Sequence, residues 1–206
     1  MSVRVFKKSQ TYALLALVSV AGCQDLIENE RQAKIQKERQ AEILERRTQV
    51  GAAMKPLLSE LGKFDPAKSK RATGPSTGGG GKALVIKQPK IDLEFVHFNS
   101  VNAMYATTPD EVSVVVNVYR LVDKQPIGTF EGGGMAFAVN VVVIATSYPG
   151  GERVFETQKK FMPAESSVGF GGGKTIDTFG QATPQFFAAV TKAALAAVRD
   201  GPPTTK

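Results

Sequence analysis

The sequence predicts an α+β fold: a mainly antiparallel sheet of five or six strands with a C-terminal helix packed on it, preceded by a long charged N-terminal helix and a glycine-rich linker. Three observations predict it. Residues 83–162 carry β-branched runs broken by Gly and Pro turns. Residues 183–201 space apolar side chains as a helix does, between a start and a stop signal. Residues 25–61 are rich in Glu, Gln, Lys, Arg, Ala and Leu, which are strong helix formers.

The strands are read in chain order. Residues 91–95 (IDLEF) alternate apolar and polar, like a half-buried strand. Residues 111–122 (EVSVVVNVYRLV) form a longer β-rich run, and residues 126–131 a short one ending at Gly132-Gly133-Gly134. Residues 135–147 (MAFAVNVVVIATS) are almost wholly apolar, which fits a central strand covered on both faces. Tyr148-Pro149-Gly150-Gly151 supplies a turn, and residues 152–162 return as an alternating strand, so this pair reads as a hairpin. Thr183 suits an N-cap and Pro184 the first helical position. Phe187, Val190, Ala194 and Val198 then share one helix face, Gly201 suits the C-terminal cap, and Pro202-Pro203 block continuation.

The N-terminal helix carries opposite charges four apart: Glu30 with Lys34, Lys34 with Glu38, Glu42 with Arg46. Its apolar residues Leu26, Ala33, Ile43, Val50, Met54, Leu57 and Leu61 follow two weak seams interrupted by Gln36, Gln40 and Arg47. A single solvated helix is the first reading; a weak coiled coil or a docked partner helix remain open. Pro56 is expected to kink or break it. Residues 63–82 (KFDPAKSKRATGPSTGGGGK) read as a flexible linker whose cations Lys63, Lys68, Lys70, Arg71 and Lys82 keep it soluble or touch anionic lipid or cell-wall polymer. Helix and linker together would extend roughly 50 Å and about 25 Å respectively, a spacer between an anchor and a domain.

The anchor is read from the start, MSVRVFKKSQTYALLALVSVAGC. Arg4, Lys7 and Lys8 precede a short apolar run from Tyr12 to Val20, followed by small residues. These are the parts of a secretory signal peptide, and the apolar run is too short to span a bilayer. Val20-Ala21-Gly22-Cys23 resembles the lipobox of bacterial lipoproteins. The resemblance implies cleavage between Gly22 and Cys23 and a lipid on Cys23. Two or three acyl chains anchor firmly, at about 0.8 kcal/mol per buried CH₂. Gln24 follows the cysteine and Asp25 comes one place later, so the family's sorting rule implies the outer membrane, facing the periplasm. The expected organisation is a signal peptide over 1–22, a lipidated charged spacer over 23–62, a basic linker over 63–82 and an α+β domain over 83–206.

Charge narrows the function. The chain carries +7, yet residues 83–206 hold 11 charges of each sign; the excess lies in the leader and linker. A neutral domain with no Trp lacks the footprint of a nucleic-acid binder. Cys23 is the only cysteine, so no internal disulfide forms. His97 is the only histidine, so a multi-histidine metal site cannot form; it reads as an ordinary strand residue between Val96 and Phe98. Asp110, Glu111, Asp123, Glu131, Glu152 and Glu156 fall near turns or on polar strand faces and read as solvating charges. Phe95, Phe98, Tyr105, Tyr119, Phe130, Phe137 and Phe155 read as core or cross-strand residues. Gly169 to Thr175 (GFGGGKT) superficially resembles a phosphate loop but has three residues where four are needed before Gly-Lys-Thr, and Val168 stands where the glycine belongs.

No catalytic, metal or cofactor set emerges. The expectation is a lipid-anchored envelope protein acting as a non-catalytic assembly, tethering or accessory subunit, with the membrane and other envelope proteins as partners. In general architecture it resembles the small auxiliary lipoproteins of envelope complexes. The alternatives are a periplasmic binding module for a lipid, glycan or cell-wall polymer, requiring a concave apolar pocket, and a carboxylate-based enzyme.

Overall fold

The computed structural model describes residues 9–76, 81–99, 103–129, 134–163 and 177–202, with the backbone alone for residues 9–27 and Asn99. The fold is α+β, with a five-stranded, mostly antiparallel sheet, a long N-terminal helix and a C-terminal helix. Helix α1 runs from Ser9 to Leu61 and α3 from Pro184 to Asp200; α2, Val96–Asn99, is a single turn. The main sheet holds β1 (Lys82–Gln88), β2 (Asp92–Leu93), β3 (Val112–Val122), β6 (Val139–Ser147) and β7 (Arg153–Phe161) in the order β2-β1-β3-β6-β7. A three-stranded sheet is formed by β4 (Gly128–Thr129), β5 (Met135–Phe137) and β8 (Thr178–Phe179). The parallel neighbours β1 and β3 are the exception in the main sheet; the β6–β7 hairpin pairs Val139 with Phe161 at its far end.

The chain divides into two compact units, Met1–Arg46 and Arg47–Lys206. In the first, every described side chain from Glu28 to Arg46 is exposed or half-buried. The expected charge pairs are absent from the ion pairs of the described residues; Gln32 instead donates to Glu28 at 2.8 Å. Holding two long exposed side chains together costs rotamer entropy that a solvated pair barely offsets.

The second unit begins inside α1, earlier than the boundary at residue 83 read from composition. Val50, Met54, Leu57 and Leu61 recur at helical spacing and are buried against Leu84, Ile86, Leu93, Val112 and Val115. Each such side chain contributes about 1.5–3 kcal/mol of burial. Pro56 is exposed and α1 continues through it, contrary to the expected break. The buried stripe on either side holds the helix to the sheet despite the missing N–H. On the other face, Val85, Val114, Val116, Val118, Val141 and Val143 pack against Phe187, Val190, Ala194, Ala197 and Val198 of α3. Thr183 caps α3 by accepting from the Phe186 N–H, Pro184 stands in its first turn, and Gly201 follows with φ 90°.

The stretch read as linker departs from that reading up to Ser76. Asp65 caps a single 3-10 turn over Pro66–Lys68, and Pro66 is buried. The chain then bonds along the outer edge of β7: Arg153 donates to the Lys70 carbonyl at 2.7 Å, and Ala72 donates to the Arg153 carbonyl at 2.9 Å. Ala72 enters the core, and Ser76 donates to Val198 of α3 at 2.9 Å. Two small apolar residues and a few backbone bonds suffice to bind a strap whose composition is otherwise polar. Thr77 to Gly80 lie outside the described residues.

Candidate functional site

Gly22 and Cys23, of the segment that resembles a lipobox, lie within the backbone of α1. Of the linker cations, Lys68 pairs with Asp65 at 3.3 Å and Lys82 with Glu111, so two of the five serve local structure.

His97 corrects its strand assignment. It sits in α2, because the chain bends when the His97 N–H bonds the Glu94 carbonyl and the Phe98 N–H bonds that of Phe95. Its ring is buried, and Nε2 accepts the Val85 N–H at 2.8 Å. Nε2 is therefore the unprotonated nitrogen of the ring. The side chain does the work of a missing strand, satisfying β1 where β2 has ended. Beside it, the Tyr105 ring lies 5.4 Å away. Burial pushes the Tyr105 hydroxyl up, opposed by the Thr191 hydroxyl.

Glu94 is buried, takes the Phe95 N–H on one oxygen and meets Arg120 of β3 at 2.6 Å on the other. Arg120 also lies over the Phe187 ring, 5.8 Å from its centre. Glu94 was missing from the acids singled out by sequence. Its partners sit far along the chain and no local spacing signals them.

Three of the other acids, Glu111, Asp123 and Glu156, are likewise occupied. Glu111 accepts from Lys82 and from the Thr107 N–H at 2.7 Å, and these bonds hold its carboxyl down at about 2. Asp123 bonds Asn140 at 2.8 Å and Lys160 at 2.7 Å, and Glu156 meets Arg153 at 3.1 Å. Asp110 lies in the 3-10 turn before β3, and Glu152 opens toward Ser147, whose Oγ accepts its N–H. Glu131, Phe130 and the GFGGGKT segment lie outside the described residues. The aromatics mostly pair: Phe95 with Phe187 edge to face at 5.6 Å, and Phe137 with Phe179 stacked at 5.4 Å.

Two concavities are found among the described residues. One, of about 500 Å³, lies between α3 at Lys192 and Leu195 and the chain at Met104 and Ser113. The other, of about 380 Å³, runs between the last turns of α1 and the β2–α2 segment. Its α1 wall presents Arg47, Gly51, Lys55 and Leu58; its opposite wall presents Ile91, Asp92, Leu93 and Phe98. The Arg47 guanidinium lies 5.7 Å from the centre of the Phe98 ring. Neither Arg47 nor Lys55 enters any ion pair of the described residues. A Cβ at Gly51 would meet no atom within 4 Å.

Among the described residues no three His, Cys, Asp or Glu side chains gather to hold a metal, and no helix is long and apolar enough to cross a membrane. No protein-family model matches the chain, and comparison with curated proteins and with solved structures gives no match.

Proposed function

We propose that this chain is a lipid-anchored envelope protein, placed at the outer membrane and facing the periplasm, and working as a non-catalytic tethering or accessory subunit. The observation that carries the reading is Val20-Ala21-Gly22-Cys23, with the only cysteine of the chain set directly after a basic and apolar leader. Lipid on Cys23 would be followed by a charged helical segment in which no described side chain, from Glu28 on, is buried before Val50. That suits a tether. Both sheet faces are occupied by helices, and Glu94, His97 and Glu111 are each committed to a structural partner. That suits a subunit that binds rather than reacts.

The test is the mass of the chain extracted from membranes. The expected product starts at Cys23 and carries a diacylglycerol thioether and an added acyl chain. Cys23→Ser is expected to retain the leader and lose lipid labelling. An unmodified Cys23, or an intact leader in a cytosolic product, overturns the anchor. The accessory role is tested by cross-linking in intact cells before extraction; a chain that migrates as a lone monomer in every growth condition overturns it.

A further inference from the structure

We propose that the groove between α1 and the β2–α2 segment binds a single-chain carboxylate, with the acyl chain on its apolar floor and the carboxylate between Arg47 and Lys55. This goes beyond the anchoring role and stands independently of the lipid on Cys23. The walls are built on the core: Leu93 is buried, and Leu58, Ile91 and Phe98 pack on the same core cluster. At about 380 Å³ the space falls within the range of small-ligand sites, roughly 300–1,000 Å³.

Charge selects the head group. Arg47 and Lys55 lie two helical turns apart on one face of α1, flanking Gly51. Arg47 is steadied over the Phe98 ring, so its planar fork is oriented before a ligand arrives. Lys55 has no carboxylate partner among the described residues. The one acid lining the groove, Asp92, is exposed and already engaged: it accepts the Leu93 N–H at 2.8 Å and lies 3.9 Å from Lys87. Two cations facing one partly neutralised acid favour a monoanion. Gly51 lines the groove, and a Cβ there would meet no atom within 4 Å, so the glycine leaves space that a larger residue would take up.

The experiment measures saturable uptake of labelled decanoate by the full chain in phosphatidylcholine nanodiscs, against matched empty discs. The wild type is expected to bind saturably, and more weakly as salt is raised. Arg47→Glu and Gly51→Leu are each expected to weaken binding about tenfold or more. Gly51→Leu improves helix propensity and its Cβ meets no atom within 4 Å, so an unchanged or raised melting temperature separates blockage from unfolding. Acetate and decyltrimethylammonium are expected not to compete. No saturable uptake above empty discs, equal competition by acetate or by the cationic amphiphile, or wild-type binding by Gly51→Leu each overturns the proposal.

Discussion

Glu111 ties together the starts of two neighbouring strands that are distant in sequence, since Lys82 opens β1 and Glu111 directly precedes β3. Its carboxyl falls from the usual 4.5 to about 2, chiefly through the Lys82 bond and then the Thr107 N–H. A depressed acid stabilises the fold above its unfolded value and loses that stabilisation as pH falls toward its folded one. Urea titrations at pH 7 and pH 3 are therefore expected to differ by less in Glu111→Gln than in the wild type. The variant loses roughly 1–2 kcal/mol at pH 7, after allowance for screening. His97→Ala strands the buried Val85 N–H, which costs about 1–3 kcal/mol in the same measurement. Such residues show what a sequence conceals. Thr183, Pro184 and Gly201 were legible because capping is local. The Glu94–Arg120 pair and the His97–Val85 bond were not, because each joins residues brought together only by the sheet.

The elements differ in legibility for the same reason. The β6–β7 hairpin and α3 follow from neighbouring residues, and both match their sequence reading closely. The parallel pairing of β1 with β3 is non-local and left no trace in the sequence pattern. The run read as one strand over 135–147 is two, β5 and β6, divided at Ala138, so a single apolar stretch serves two sheets. Val50, Met54, Leu57 and Leu61 were visible as a sparse seam, but nothing in them named the sheet as the surface they cover. Met54→Ala is expected to lose about 2–5 kcal/mol in chemical unfolding, the cost of a cavity in that interface. Where β8 ends, a Cβ on Gly180 would come within 2.0 Å of the Phe161 carbonyl oxygen. Gly180→Ala is expected to push the smaller sheet away from β7, read as faster exchange of the Gly180 amide, whose N–H donates to the Phe137 carbonyl at 3.0 Å.

For the whole molecule, composition misplaced the limit of the folded body because charged residues on the outer side of α1 outnumber the few that it buries. A fragment of residues 47–206 is expected to unfold cooperatively, whereas residues 83–206 lack the cover for Leu84, Ile86 and Val115 and are expected to bind a hydrophobic dye and unfold without a sharp transition. The groove could not have been foreseen either, since Arg47 and Phe98 meet only after the helix has docked on the sheet.

The strand at the rim of the main sheet has one further consequence. At Arg153 its outer backbone is taken by residues 70–72, and at Phe161 the chain around Gly180 closes in. Between them the charged side chains of Glu156, Lys159 and Lys160 stand at the edge and would have to be desolvated by a docked neighbour. Molecules fastened to one leaflet meet each other far more often than in solution and in similar orientations. Under that confinement a bare rim would invite copy after copy to zip into ribbons. If the chain is anchored as proposed, stitching the rim shut with its own polar strap would let many copies crowd a surface and stay separate.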